Sequence, residues 1–115
     1  MTQFLPCIFF SIHRFRLLTF NLLAECYSDT CESRDVRYAY CPAFALTLDY
    51  RKQLLLAELL GYRADILCLQ EVDNKAFERH YAPVLRRRSF GGWMCTKHVT
   101  VSQGVATFFN KDSFK

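Results

Sequence analysis

Ile66-Leu67-Cys68-Leu69-Gln70-Glu71-Val72-Asp73 is the stretch from which the fold of this chain is read. Its run of four apolar residues predicts a strand buried on both faces, and a carboxylate follows shortly after the run stops. In open α/β sheets, ligands bind beyond the carboxyl ends of strands, which puts Glu71 at a site-like position. A second strand, Leu17-Leu18-Thr19-Phe20-Asn21, also ends on a polar side chain after an apolar run. If the two strands are neighbours, Asn21 and Glu71 converge on one small volume. One carboxylate and one amide in an oxygen-lined pocket suit a hard cation such as Mg2+.

Between these strands, Thr47 to Leu60 reads as a helix. Thr47 is its cap, Asp49 lies in the first turn, and Gly61 is the expected left-handed exit, with Tyr62 packing back on the last turn. Leu48, Leu55 and Leu59 form one apolar stripe and Tyr50, Leu54 and Ala57 another, so this helix calls for cover on more than one side. Arg51 lies between the stripes and is expected to be a structural partner in a buried ion pair. Beyond the second strand, a helix is predicted over about 75–84 with Asp73 or Asn74 as its cap. Arg86, Arg87 and Arg88 follow where cations complement a helix dipole. Strands over about 92–97 and 105–109 close the chain as a hairpin, with Lys97 and His98 near its tip as candidate substrate contacts.

Glu25 to Tyr40 is polar and without periodicity, and is expected to be a long loop. Its end, Val36-Arg37-Tyr38-Ala39-Tyr40-Cys41-Pro42, mixes aromatics with arginines, a combination that serves either base stacking and phosphate contact or a loop anchored by its tyrosines. With 115 residues the chain is one domain or part of one, and half of it is hydrophobic, which supplies a core and argues against disorder. Its net charge of +4 fits an anionic substrate such as nucleic acid without demanding one. None of the six cysteines forms a C-x-x-C pair or zinc-finger spacing, so reduced thiols in a cytosolic or organellar compartment are expected. Residues 1–14 carry an apolar stretch too short to span a bilayer and remain unassigned.

Four motifs in order carry a resemblance. Leu18-Thr19-Phe20-Asn21-Leu22-Leu23-Ala24 resembles the first-strand motif of the endonuclease/exonuclease/phosphatase superfamily. Tyr40-Cys41-Pro42 with Leu48-Asp49-Tyr50-Arg51 is similar to its deadenylase/nocturnin branch. Ala64 to Val72 resembles its metal-binding strand, and Gly104-Val105-Ala106-Thr107-Phe108-Phe109 is most similar to the 2′,5′-phosphodiesterases. The resemblance implies an α+β fold in which residues 15–115 form the N-terminal portion of a two-sheet β-sandwich flanked by helices.

It further implies that Glu71 binds magnesium and that Asn21 stands beside the metal and the scissile phosphate. The implied function is Mg2+-dependent phosphodiesterase or exoribonuclease action on RNA or oligoadenylate ends, inside the cell, in mitochondria or cytoplasm. The family's other catalytic residues have no match here: His13, His80 and His98 fall elsewhere, and no Asp-x-Asn triplet occurs. The chain alone is expected to be inactive and poorly soluble, because one sheet face of the parent fold would be uncovered. Two other readings stand beside this one: a non-catalytic product that binds RNA or a protein, and a superfamily phosphatase acting on a small phosphorylated substrate.

Overall fold

The computed structural model describes residues 14–96 and 98–114. Its strands are β1 (Leu17–Asn21), β2 (Ile66–Asp73), β3 (Phe90–Cys95) and β4 (Gln103–Asn110), joined in one sheet of order β1-β2-β4-β3. β1 pairs with β2 in parallel, and the other two pairings are antiparallel. The helices α1 (Glu25–Ser28), α2 (Ala43–Leu46) and α3 (Leu48–Gly61) lie between the parallel strands, and α4 (Asn74–Ala76) and α5 (Ala82–Arg87) follow β2. A parallel pair needs a crossover of this length, and the sequence supplies it with a capped fourteen-residue helix.

The core lies on one face of the sheet. Leu67, Leu69, Val72, Ala106 and Phe108 meet Leu56 and Leu59 of α3, and Tyr81, Ala82 and Leu85 from the helical stretch after β2. Each fully buried side chain of this size contributes about 1.5–3 kcal/mol. The opposite face, formed by Leu17, Ile66, Phe109, Trp93 and Val105, is open: Trp93 is 61% and Val105 54% exposed. β2 is thus buried on one face only, not on both as its apolar run predicts, because all the described helices that join the core lie on the same side. α3 likewise buries a single stripe, and Tyr50 and Leu54 of its second stripe stay exposed.

Three local expectations are corrected. Glu25 to Tyr40 is largely helical rather than a loop, comprising α1 and a π-helical turn, Ser33–Arg37. Polar links at a spacing of five residues, Arg34 with Asp29 and Arg37 with Glu32, support that turn. Thr30 Oγ1 also accepts the Ser33 N–H. No apolar period is needed for any of these. Gly61 is the last residue of α3 and does not exit left-handed; Arg63 does, at φ 49°. Tyr62 packs on Phe20, its hydroxyl donates back to Glu58 Oε1 in the last turn of α3, and its carbonyl accepts from Arg16. Finally, the helical stretch after β2 runs to Arg87 and contains a π-helical turn, Phe77–Tyr81, just ahead of Pro83. Proline has no N–H and crowds the carbonyl four residues earlier, and a wider turn accommodates both.

Candidate metal centre at the ends of β1 and β2

A regular strand alternates faces, so with Leu69 in the core, Glu71 would also point inward and Val72 outward. The structure does the reverse. Between Leu69 and Val72 the partner on β4 advances only from Ala106 to Gly104, leaving one residue of β2 in excess, a β-bulge. Leu69 and Val72 are both fully buried, and Glu71, at φ 51°, is turned out of the core to the rim. A left-handed conformation at a non-glycine residue costs about 1–2 kcal/mol. Across the bulge, Gly104 keeps β4 against β3, where a Cβ would overlap the Cys95 carbonyl.

Asn21 ends β1 opposite Gln70. Its Oδ1 accepts the Leu23 N–H at 2.8 Å, which leaves Nδ2 facing Glu71, and Nδ2 donates to Glu71 Oε1 at 2.9 Å. The two side chains singled out by sequence are therefore in direct contact. Glu71 Oε2 is buried and has no hydrogen-bond partner. A buried carboxylate oxygen without a donor is costly, and a cation is the partner that answers it. A carboxylate and an amide form an oxygen donor set that suits a hard divalent cation. Among the described residues no group of three or more His, Cys, Asp or Glu side chains stands together to hold an ion.

Three further residues hold this corner. Arg51 of α3 donates to the carbonyls of Leu22 and Leu23 and to Ser28 Oγ, so its partners are carbonyls and a hydroxyl rather than the carboxylate of an ion pair. Asp73 is the N-terminal boundary residue of α4 but does not cap it with its side chain; both its oxygens accept the Glu25 N–H, at 3.2 and 3.3 Å. Glu25 in turn accepts the Leu48 N–H at the start of α3. Burial pushes the Asp73 carboxyl above its ordinary range, the Glu25 N–H opposes this, and the neighbouring Glu25 charge adds to it. Glu25, Cys26, Asp29, Asp73, Asn74 and Ser102 line a cavity of about 580 Å3 next to this corner. Burial there, and then the Asp73 charge, raises the Cys26 thiol.

The other sequence candidates fall differently. His98 is exposed on the connection between β3 and β4, at the same end of the sheet, and among the described residues it makes no hydrogen bond to Asn21 or Glu71. Lys97 lies outside the described residues. In the aromatic stretch, Tyr40 is 83% exposed and so anchors nothing, while Arg37 is paired with Glu32. Cys26, Cys31, Cys41, Cys68 and Cys95 are free thiols. No helix among the described residues is long and apolar enough to cross a membrane. Sequence reading missed the role of Asp73 in holding α1 and the carbonyl clamp of Arg51. A guanidinium set among apolar side chains on α3 was the one available signal.

The chain is 42% identical over 99 residues to 2′,5′-phosphodiesterase 12 of Homo sapiens, covering 86% of this chain and 16% of that protein. It is 35% identical over 113 residues to the CCR4-Not complex 3′-5′-exoribonuclease subunit Ccr4 of Candida albicans, covering 90% and 14%. The chain thus spans less than a fifth of the length of these relatives. The crystal structure of ANGEL2, a 2′,3′-cyclic phosphatase, superposes with a TM-score of 0.73 at 24% identity over 85% of this chain and 27% of that one. This α+β chain is accordingly one portion of a larger fold. Residues 18–113 match the model of the Endonuclease/Exonuclease/phosphatase family, and the chain belongs to that family.

Proposed function

We propose that this chain supplies the Asn21–Glu71 half of a Mg2+-dependent phosphodiesterase that hydrolyses RNA or oligoadenylate ends. The observation that carries the reading is Glu71 Oε2, buried and unpartnered beside an amide already oriented by its neighbours. The activities for which the relatives are named, a 2′,5′-phosphodiesterase and a 3′-5′-exoribonuclease, support the substrate class.

In this reading the unpartnered Oε2 of Glu71 would hold the metal, and Oε1 would keep its bond to Asn21. Asn21 has a second N–H on Nδ2, free to donate to a phosphate oxygen. Magnesium, when bound, lends charge stabilisation to the phosphoryl and leaving oxygens. The chain's own contribution is to hold one carboxylate and one amide rigidly toward the same point, fixed by a bulge on one strand and a turn on the other. The groups that move protons to and from water lie in the rest of the domain, for which residues 15–115 are the N-terminal portion. The open sheet face with Trp93 and Val105 supports a second sheet lying there in the whole domain.

The test is cleavage of short 2′,5′- and 3′,5′-linked oligoadenylates with and without Mg2+. The substrate is offered to the chain alone and to a chimera in which residues 15–114 replace the matching segment of 2′,5′-phosphodiesterase 12. The chimera is expected to cleave only with the metal, and the chain alone to be inactive. Chimera activity that persists in Glu71→Ala would overturn the metal assignment.

A further inference from the structure

We infer that Arg51 is a positioning residue for the Asn21–Glu71 pair, a step that rests on reading that pair as a metal and phosphate site. Its guanidinium spans three acceptors: the Leu22 carbonyl, the Leu23 carbonyl and Ser28 Oγ, the latter two at 2.8 and 2.9 Å. Both carbonyls belong to the turn that leaves β1, and Leu22 is 3% exposed. Without the guanidinium these carbonyls would sit beside the core with no donor. A planar fork of donors suits this task in a way that a single ammonium does not.

The consequence passes along the backbone to the site. Leu23 is left-handed, at φ 54°, a conformation disfavoured for a leucine and held here by the clamp on its carbonyl. The Leu22 carbonyl shares one rigid peptide plane with the Leu23 N–H, so the clamp on that carbonyl aims the N–H back at Asn21 Oδ1. The two ends of an asparagine amide have nearly the same shape, and only their hydrogen bonds decide which end faces which neighbour. If the Leu23 N–H turned away, the Asn21 amide would be held by Glu71 Oε1 alone, and the pair would lose its fixed orientation. Arg51 thus acts on Glu71 through Leu23 and Asn21 without touching the reacting atoms. Ser28 ties the clamp to the rest of the loop, because its hydroxyl also donates to the Leu46 carbonyl.

The experiment compares Arg51→Met, Asn21→Ala and the double variant in the chimera with 2′,5′-phosphodiesterase 12. One readout is the NMR signals of the Asn21 side-chain amide without metal, and the other is Mn2+ affinity by water-proton relaxation. Arg51→Met is expected to move and broaden the Asn21 amide pair, and each single variant to weaken Mn2+ binding roughly tenfold, as supporting groups around metal ligands do. The double variant is expected to bind Mn2+ no more weakly than Asn21→Ala alone, because both changes break one chain of contacts. Additive losses, or an unmoved Asn21 amide in a folded Arg51→Met chimera, would overturn the assignment. If Arg51→Met does not fold, Arg51→Lys keeps the charge and loses the fork. It is expected to retain the Phe108 core signals while the Asn21 amide still moves, and an unmoved amide there counts against the proposal. Mn2+ binding that survives Glu71→Ala would defeat the metal reading itself, and the metal-free amide signals would still decide the role of Arg51.

Discussion

Two carboxylates flank β2, and they are used in opposite ways. At its start, Asp65 is satisfied by the chain: one oxygen accepts the Arg16 N–H at 2.8 Å and the other the Ser113 hydroxyl at 3.2 Å. Near its end, Glu71 spends one oxygen on Asn21 and keeps the other buried and unpartnered. Asp65 follows Ala64 in a turn that its side chain helps to close. Glu71 sits in a bulge, in a backbone conformation that glutamate avoids. A carboxylate whose acceptors are all occupied is a brace. One held at a conformational cost with an acceptor to spare is prepared for something absent from the polypeptide.

The contrast is tested most strongly by metal-dependent cleavage in the chimera. Glu71→Ala is expected to reduce it by about 100-fold or more, whereas Asp65→Ala is expected to stay within about threefold once the protein is saturated with metal. Comparable losses from both would mean that the two acids are not different in kind.

The bulge that separates their roles depends on close approach across Gly104. Gly104→Ala forces a methyl group into the Cys95 backbone and is expected to destabilise the chain by about 3 kcal/mol in urea unfolding. A neutral outcome would mean that β3 and β4 are looser there than described.

Asp65→Ala leaves the Arg16 N–H and the Ser113 hydroxyl without their acceptor, and about 1–2 kcal/mol of stability is expected to go with them. The smallest effect has the opposite sign. Glu71→Gly relieves the left-handed conformation and removes the unpartnered oxygen, so this variant is expected to be more stable than the parent by about 1 kcal/mol while failing to bind Mn2+. Loss of stability in Glu71→Gly would show that Glu71 is a brace like Asp65.

Much of the scaffold was legible because it is written in short-range patterns. The Thr47 cap and the leucine stripe specify α3, and the two apolar runs specify β1 and β2. Asn21 and Glu71 were legible because each ends or interrupts such a run. The helical turns over 25–37 were not, since they rest on polar links five residues apart and leave no apolar period. The reach of the helix after β2 was also underestimated, because Pro83 reads as a boundary while the π-helical turn before it lets the helix continue.

By itself, then, the sequence determined which residues alternate, which cap and which stand at strand ends, all consequences of neighbours a few positions apart. Only the tertiary structure decided that β2 carries an extra residue against β4, which sends Glu71 to the rim while Leu69 and Val72 both stay in the core. It also decided that Arg51 clamps two carbonyls rather than an acid. The reason is physical: cross-strand register and a left-handed non-glycine residue are set by contacts between segments about thirty to forty positions apart, and they pass unmarked in any local pattern.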